Sequence, residues 1–326
     1  MGDIPFSILV GSVLAASAPL IIIALGEMIT EKSGVINLSL DGSILFAAMV
    51  AFVAAKESDS LLIGFLAGGC AGMITGFVVG YLSIYLHLSQ VAVGFALSLL
   101  CRDLAYFLGN PYSRIQGPTL LAGELPFHDL LPECVSQICT QALTVPLALV
   151  LLGFLVWFFK SSRKGLQLRS VGENPAAAFS RGLNPNRIQM LAVLGGSFLV
   201  GIGGAAYSLS LKPGWGRPQG AEGIGWIALA LVIFGSWQPM RIAAGAMLFA
   251  FLQVCGISLQ NMFPTIPSQV FQTAPFPLMI FTLIFMHYST RKSRAHGEVA
   301  SSLQKWLGIL FMSRAPKSLG KSYRQE

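Results

Sequence analysis

Hydrophobic residues run along this chain in long blocks separated by short polar intervals. A helix rising 1.5 Å per residue needs about 20 apolar residues to cross a bilayer. The candidate blocks are 4–25, 38–55, 61–86, 90–109, 141–159, 188–211, 223–237, 242–260 and 270–289. The pattern predicts an all-α, polytopic transmembrane helical bundle of about nine spans. Segment 223–237 is short, and Pro275 and Pro277 interrupt 270–289, whose outer part is read as re-entrant. The first block lacks a positive n-region, and its A-x-A at Ala16–Ala18 runs into Pro19, so Phe6–Leu25 is read as a retained span rather than a cleaved signal.

Composition narrows the class further. Of 326 residues, 54% are hydrophobic and 11% charged, where a soluble globular protein carries about 25% charged residues. Soluble, disordered and nucleic-acid-binding proteins are excluded on that count. The net charge of +7 is unevenly placed: segments 160–187 and 290–326 hold 14 of the 21 basic residues but only Glu173, Glu298 and Glu326 of the acidic ones. Basic segments of polytopic proteins face the cytoplasm. That places the N-terminus and loop 110–140 outside and the C-terminus inside. The chain divides into a transmembrane domain, 1–289, containing basic loop 160–187, and a basic cytoplasmic tail, 290–326.

Candidate catalytic chemistry is sparse. Cys70, Cys101 and Cys255 lie in apolar runs and act as small hydrophobes. Cys134 and Cys139 share an outer loop, where a bridge or two free thiols both fit. The histidines His87, His128, His287 and His296 have no metal-ligand spacing, so no metal site is expected. Ala315-Pro-Lys-Ser-Leu-Gly-Lys-Ser322 fits a relaxed phosphate-loop pattern, but that loop works only ahead of a helix, and four residues follow. Gly201-x-Gly203-x-x-Ala206 lies within an apolar span and is read as packing. No hydrolytic arrangement emerges, and the chain is read as a non-enzyme.

Gly64, Gly68, Gly72, Gly76 and Gly80 recur every four residues and form one bare ridge along a helix. Such ridges let neighbouring backbones approach closely in membranes. Ser197, Gly201 and Ala205 repeat the pattern more weakly.

Three polar segments stand out from the apolar blocks. Gly26–Gly42 carries Glu27, Glu31, Lys32, Asn37, Ser39 and Asp41 at or near membrane depth, with Gly26, Gly34 and Gly42 as breaks. A broken helix near 26–42 is expected, since polar groups at that depth line cavities or pair, and broken helices recur at transporter binding sites. In Gly165–Gly182, Asn174 is a helix N-cap, Pro175 suits the first helical position, and Gly182 suits a left-handed end. The product is a short capped helix off the membrane, suited to docking a cytoplasmic partner. In Gly223–Pro239, two glycines open an apolar span, and Gly235 with Pro239 closes it in a tight turn.

These three segments resemble the permease subunits of bacterial ABC importers in the group that handles nucleosides, simple sugars and branched-chain amino acids. The first is similar to that group's G-E-x-x-x-E-R-x-G-V-x-N-x-G-x-E-G pattern and the second to R-A-V-G-E-N-P-x-A-A-x-x-x-G-I. The third is similar to G-x-G-x-x-x-x-A-x-x-x-x-G-x-W-x-P. The resemblance is nearest to the shorter permease of nucleoside importers. It implies that Gly172, Glu173, Asn174, Pro175, Ala177 and Gly182 form a coupling helix seated in an ATPase groove. Asn37, Ser39, Asp41, Gln90 and Ser98 would lie on the substrate pathway, with Asn37 facing it. It also implies a bacterial inner-membrane location and three protein partners: a cytoplasmic ABC ATPase that binds ATP and Mg, a second permease in a heterodimer, and an external solute-binding lipoprotein. No cofactor is expected in this chain.

Departures touch the solute. Ser39 and Asp41 stand where the group has Gly and Glu, and Val91, Val93 and Ser98 stand where nucleoside-type members are more polar. Branched-chain amino acids therefore remain an alternative. So does an ion-coupled secondary transporter using Asp41 or Glu27; a membrane scaffold fits least. Arg102 and Asp103 fall deep in a span, and as neighbours on a helix they are expected to find separate partners or reach the outer interface. In the tail, Val299, Leu303, Trp306, Leu307, Leu310 and Phe311 recur at helical spacing, which suits a helix on the inner leaflet or a plain basic stop to insertion.

Overall fold

A computed structural model describes residues 6–118, 144–262 and 315–321, together with positions 277, 281 and 323. Helices account for every regular element among the described residues. In chain order they are α1 Phe6–Lys32, α2 Leu40–Ser58, α3 Leu61–Gly80, α4 Gln90–Gly109 and α5 Thr144–Ser161. They continue with α6 Arg163–Glu173, α7 Pro175–Ser180, α8 Pro185–Ala206, α9 Ile224–Phe234 and α10 Pro239–Met262. Eight of the nine apolar blocks coincide with a helix; the ninth, 270–289, lies outside the described residues apart from two isolated positions.

Among the described residues, six helices are long and apolar enough to cross a membrane. α9, at 11 residues, is shorter than a span. Two helices end in π-turns, Tyr81–Tyr85 after α3 and Tyr207–Leu211 after α8. α1 sits at the centre, packed against α5, α8, α9 and α10. α3 lies in the cleft between α2 and α8, and α4 covers α2 from the other side. The burial pattern is inverted relative to a soluble protein. Large apolar side chains such as Leu62, Val150 and Phe107 face outward, whereas Glu27, Asn37 and Ser39 are fully enclosed. Only a hydrocarbon or protein surround makes that arrangement stable.

The glycine ridge explains the close crossing of α3 and α8. A Cβ on Gly72 would lie 2.3 Å from the Ser197 carbonyl oxygen, and one on Gly68 would lie 3.0 Å from Ala205 Cβ. The Ser197, Gly201 and Ala205 stripe of α8 therefore meets the ridge of α3 directly. Gly64 and Gly68 also face Ala51 of α2, and Gly80 faces Met190.

The break between the first two helices is shorter than the polar segment suggests. α1 runs unbroken through Gly26, Glu27 and Glu31, and α2 already contains Asp41 and Gly42. Only residues 33–39 leave the helix, with Gly34 at φ 97° making the turn. Gly26 and Gly42 serve contacts instead: their missing side chains admit the backbones of Gly196 and Ser98.

Candidate functional site

Residues 33–39 form a buried junction whose polar groups satisfy one another. Asn37 is 1% exposed. Its Oδ1 accepts from the Ser39 amide at 3.1 Å and from Ser39 Oγ at 2.6 Å, and its Nδ2 donates to Ser197 Oγ at 3.5 Å. The Asn37 amide donates to Glu27 Oε1 at 3.2 Å. Glu27 is itself enclosed, and its second oxygen, Oε2, has no hydrogen-bond partner. Buried polar groups left unpaired are costly, so this oxygen marks a point of unspent interaction at the centre of the bundle.

The other sequence-predicted pathway residues lie at the junction or in the first turn of α2 beside it. Gln90 Oε1 accepts from the Ile36 amide at 2.8 Å, tying the start of α4 to the turn. Ser98 Oγ accepts from the Gly42 amide at 3.1 Å, and Asp41 Oδ1 accepts from the Gly225 amide at 3.3 Å. The structure thus places Asn37, Ser39 and Gln90 at the junction and Asp41 and Ser98 just beyond it, in neighbouring hydrogen bonds that tie α1, α2, α4, α8 and α9 together. It does not present Asn37 to an open passage in this conformation. Its side chain is turned into the bundle because Ser39 and Ser197 complete its hydrogen bonds there.

Two further groups belong to this network and carried no role in the sequence reading. Gln189 Nε2 donates to the Ser33 carbonyl at 3.1 Å from inside α8. Trp237 Nε1 donates to Glu31 Oε2 at 2.5 Å. Trp237 and Ser236 hold φ of 57° and 52°, while Gly235 has an ordinary φ of −71°. The left-handed residues of the turn before α10 are thus the side-chain-bearing ones, which costs about 1 kcal/mol or more apiece. The tryptophan of the G-x-W-x-P segment was the available signal; its carboxylate partner lies 206 residues away.

Asn174 caps α7. Its Oδ1 accepts from the Ala177 amide at 3.1 Å, Pro175 takes the first position, and Gly182 follows at φ 83°. Ala176, Ala177, Phe179, Ser180 and Arg181 are exposed, so α7 offers its surface outward. Its base is tightly held: a Cβ on Gly172 would lie 2.1 Å from the Lys32 carbonyl oxygen at the end of α1. Glu173 is exposed beside this contact. Lys32 Nζ lies 4.1 Å from the Phe159 ring centroid, a cation–π contact that anchors the same helix end to α5.

Arg102 and Asp103 correct the expectation of separate partners. They pair with each other, Nε to Oδ1 at 3.7 Å, on the exposed face of α4. The flexible arginine side chain spans the angle that separates neighbours on a helix. At the opposite end of the bundle, Glu222 accepts from the Tyr106 hydroxyl, from the Gln219 amide at 3.0 Å and from the Gly220 amide at 2.6 Å. Burial raises its pKa, but these donors outweigh burial and hold it below the ordinary carboxylate value. Beside it, Arg114, Lys212, Trp215 and Gln219 line a cavity of about 410 Å³.

Cys70, Cys101 and Cys255 are free thiols, and no group of metal ligands occurs among the described residues. Cys134, Cys139, three of the four histidines and the amphipathic stretch 299–311 lie outside the described residues.

Residues 9–284 match the family described as branched-chain amino acid transport system, permease component. The chain belongs to that family. It is the permease subunit of an ABC importer, a multi-pass membrane protein. Among similar proteins, TsgC13 of Haloferax volcanii, provisionally named a glucose ABC transporter permease protein, is 34% identical over 78% of this chain and 78% of its own. The guanosine ABC transporter permease protein NupQ of Bacillus subtilis is 29% identical over 85% of this chain and 91% of its own. The nucleoside ABC transporter permease protein NupC of Lactococcus lactis is 28% identical over 86% and 91% respectively. No solved structure matches the chain.

Proposed function

We propose that this permease moves a nucleoside-like or sugar-like solute across a bacterial inner membrane by alternating access, driven by a separate ABC ATPase that binds ATP and Mg. The names of its relatives support that solute class. A second permease completes the pathway as a heterodimer, and an external solute-binding lipoprotein delivers the solute. The basic segments 160–187 and 290–326 face the cytoplasm, the N-terminus faces outside, and the span count is nine when 270–289 is included.

The observation that carries the mechanism is the contact between the end of α6, just before α7, and the start of the junction. α7 is capped and outward-facing, and it follows Gly172 of α6, which abuts the end of α1 immediately before residues 33–39. A push on α7 from an ATPase groove would reach the junction through Asn174 and the end of α6. There it acts on a network of hydrogen bonds joining α1, α2, α4, α8 and α9. Hydrogen bonds exchange partners at lower cost than close-packed backbones separate, so Asn37, Ser39, Asp41, Gln90 and Ser98 are the seam along which the pathway opens.

Affinity purification of the tagged chain from membranes tests this reading. The ATPase subunit should co-purify, and Glu173→Arg or Pro175→Gly should reduce its recovery. Unchanged recovery and unchanged uptake with both variants would remove the coupling assignment. The unpartnered oxygen of Glu27 favours one second reading, an ion-coupled carrier with a proton or cation held at that carboxylate. That reading requires uptake to collapse with the ion gradient.

A further inference from the structure

The stretch 315–323, which includes the abortive phosphate-loop pattern, is not a free tail end. Ser318 donates its amide to the Gly172 carbonyl at 3.0 Å and its hydroxyl to the same oxygen at 2.5 Å. Two residues on, the Gly320 amide donates to the Gly34 carbonyl at 3.0 Å. Gly172 belongs to the last turn of α6, where carbonyls have no partner within the helix, and Gly34 is the turning residue of the junction. The Tyr323 and Phe179 rings lie 6.4 Å apart, which adds a contact to α7.

Side-chain placement fits a seat rather than a chance touch. Ser318 is buried between exposed Lys317 and half-buried Leu319, and Leu319 packs on the main core. A Cβ on Gly34 would lie 2.5 Å from Ser318 Oγ, so the glycine that makes the turn also makes room for the serine. Gly320 adopts φ 77°, a conformation costly for other residues, and thereby aims its amide at Gly34.

We propose that residues 315–321, with Tyr323, act as a strap that locks the coupling helix to the junction, with Ser318 and Gly320 as its positioning residues. The strap rests on the coupling reading of α7 and adds to it. α7, the end of α6 and the turn at Gly34 move as one body, so displacement of α7 is delivered to the junction instead of being lost in loop motion. The strap's own bonds are to backbone carbonyls of this chain.

The test uses the complete importer in proteoliposomes, with guanosine and glucose as the labelled probes and ATP hydrolysis measured in parallel. Ser318→Pro removes the amide donor to Gly172, and Gly320→Val opposes the left-handed conformation. Either should leave ATPase recovery on affinity purification within about twofold of wild type. Solute moved per ATP hydrolysed should fall about three- to tenfold, the scale on which one or two lost hydrogen bonds shift a two-state balance. Ser318→Ala, which keeps the amide bond, should restore most of the ratio.

An unchanged ratio overturns the strap. So does a proportional fall of uptake and hydrolysis, which signals a merely structural role, or a loss of ATPase recovery, which signals a tail that contacts the ATPase itself. Deletion of 315–326 carries the same test should the substituted chains fail to accumulate. Failure of the coupling reading is distinct, because Glu173→Arg and Pro175→Gly would then leave ATPase recovery untouched.

Discussion

The helices of this permease meet along two seams of opposite character. Between α3 and α8 the contact is dry and built from absent side chains: Gly68 and Gly72 face Ser197, Gly201 and Ala205, with backbone close to backbone. Around residues 33–39 the contact is polar, with Asn37, Ser39, Gln90, Gln189 and Glu31 held by named hydrogen bonds. Lipid offers no hydrophobic driving force for helix association, so fit and hydrogen bonding must supply it. The first seam uses fit, which tolerates no displacement. The second uses directional hydrogen bonds, and it lies beside the end of α6 that leads into α7. The difference teaches that this bundle uses shape in one contact and hydrogen bonding in the other, and under the proposed coupling it is the second that yields.

Substitutions can break either seam. The largest effect is expected at Gly72→Val, whose Cβ would strike backbone atoms of Ser197 and Gly201. It should destabilise the fold by about 3 kcal/mol or more, read as loss of monodisperse protein and a lowered melting temperature in detergent. Next is Asn37→Ala, which strips the bonds to Ser39 and Ser197 and should cost about 2 kcal/mol. Unlike Gly72→Val, it should depress uptake more steeply than it depresses the amount of folded chain. Trp237→Phe leaves Glu31 Oε2 without its indole donor and should cost about 1–2 kcal/mol in the same melting assay. The smallest effect sharpens the comparison from the other side. Gly153 in α5 has nothing near its vacant Cβ position, so Gly153→Ala should raise stability by about 0.5–1 kcal/mol. An equal response at Gly72 and Gly153 would erase the distinction between ridge and ordinary glycine.

A pH prediction concerns the loop before α9. The folded-state pKa of Glu222 is depressed, so its contribution is fully present above the ordinary carboxylate value of 4.5 and is lost as pH falls through the lowered value. Glu222→Gln should flatten the acid limb of a melting-temperature profile.

Much of this was legible in the apolar runs and the caps. The runs set the helices because bilayer thickness sets helix length. Asn174, Pro175 and Gly182 set α7 because capping is a local property of the chain. The glycine interval identified a bare ridge, and the matching stripe on α8 its counterpart. The length of the break was not legible, because Glu27 and Glu31 look like breaks in a hydropathy pattern while their partners, the Asn37 amide and Trp237, let α1 continue. Nor was the inward turn of Asn37, which depends on Ser197, 160 residues away. The docking of Ser318 and Gly320 was hidden for the same reason: both bonds end on backbone carbonyls, which leave no mark in side-chain chemistry.

The central claim is that ATP hydrolysis, transmitted through α7, drives uptake through this chain. The most direct test is uptake into proteoliposomes holding this permease with its ATPase, second permease and receptor, supplied with ATP while the proton and sodium gradients are collapsed. Sustained uptake that stops with a non-hydrolysable nucleotide is the predicted result; immediate loss of uptake on collapsing the gradients, with ATP still present, would contradict it.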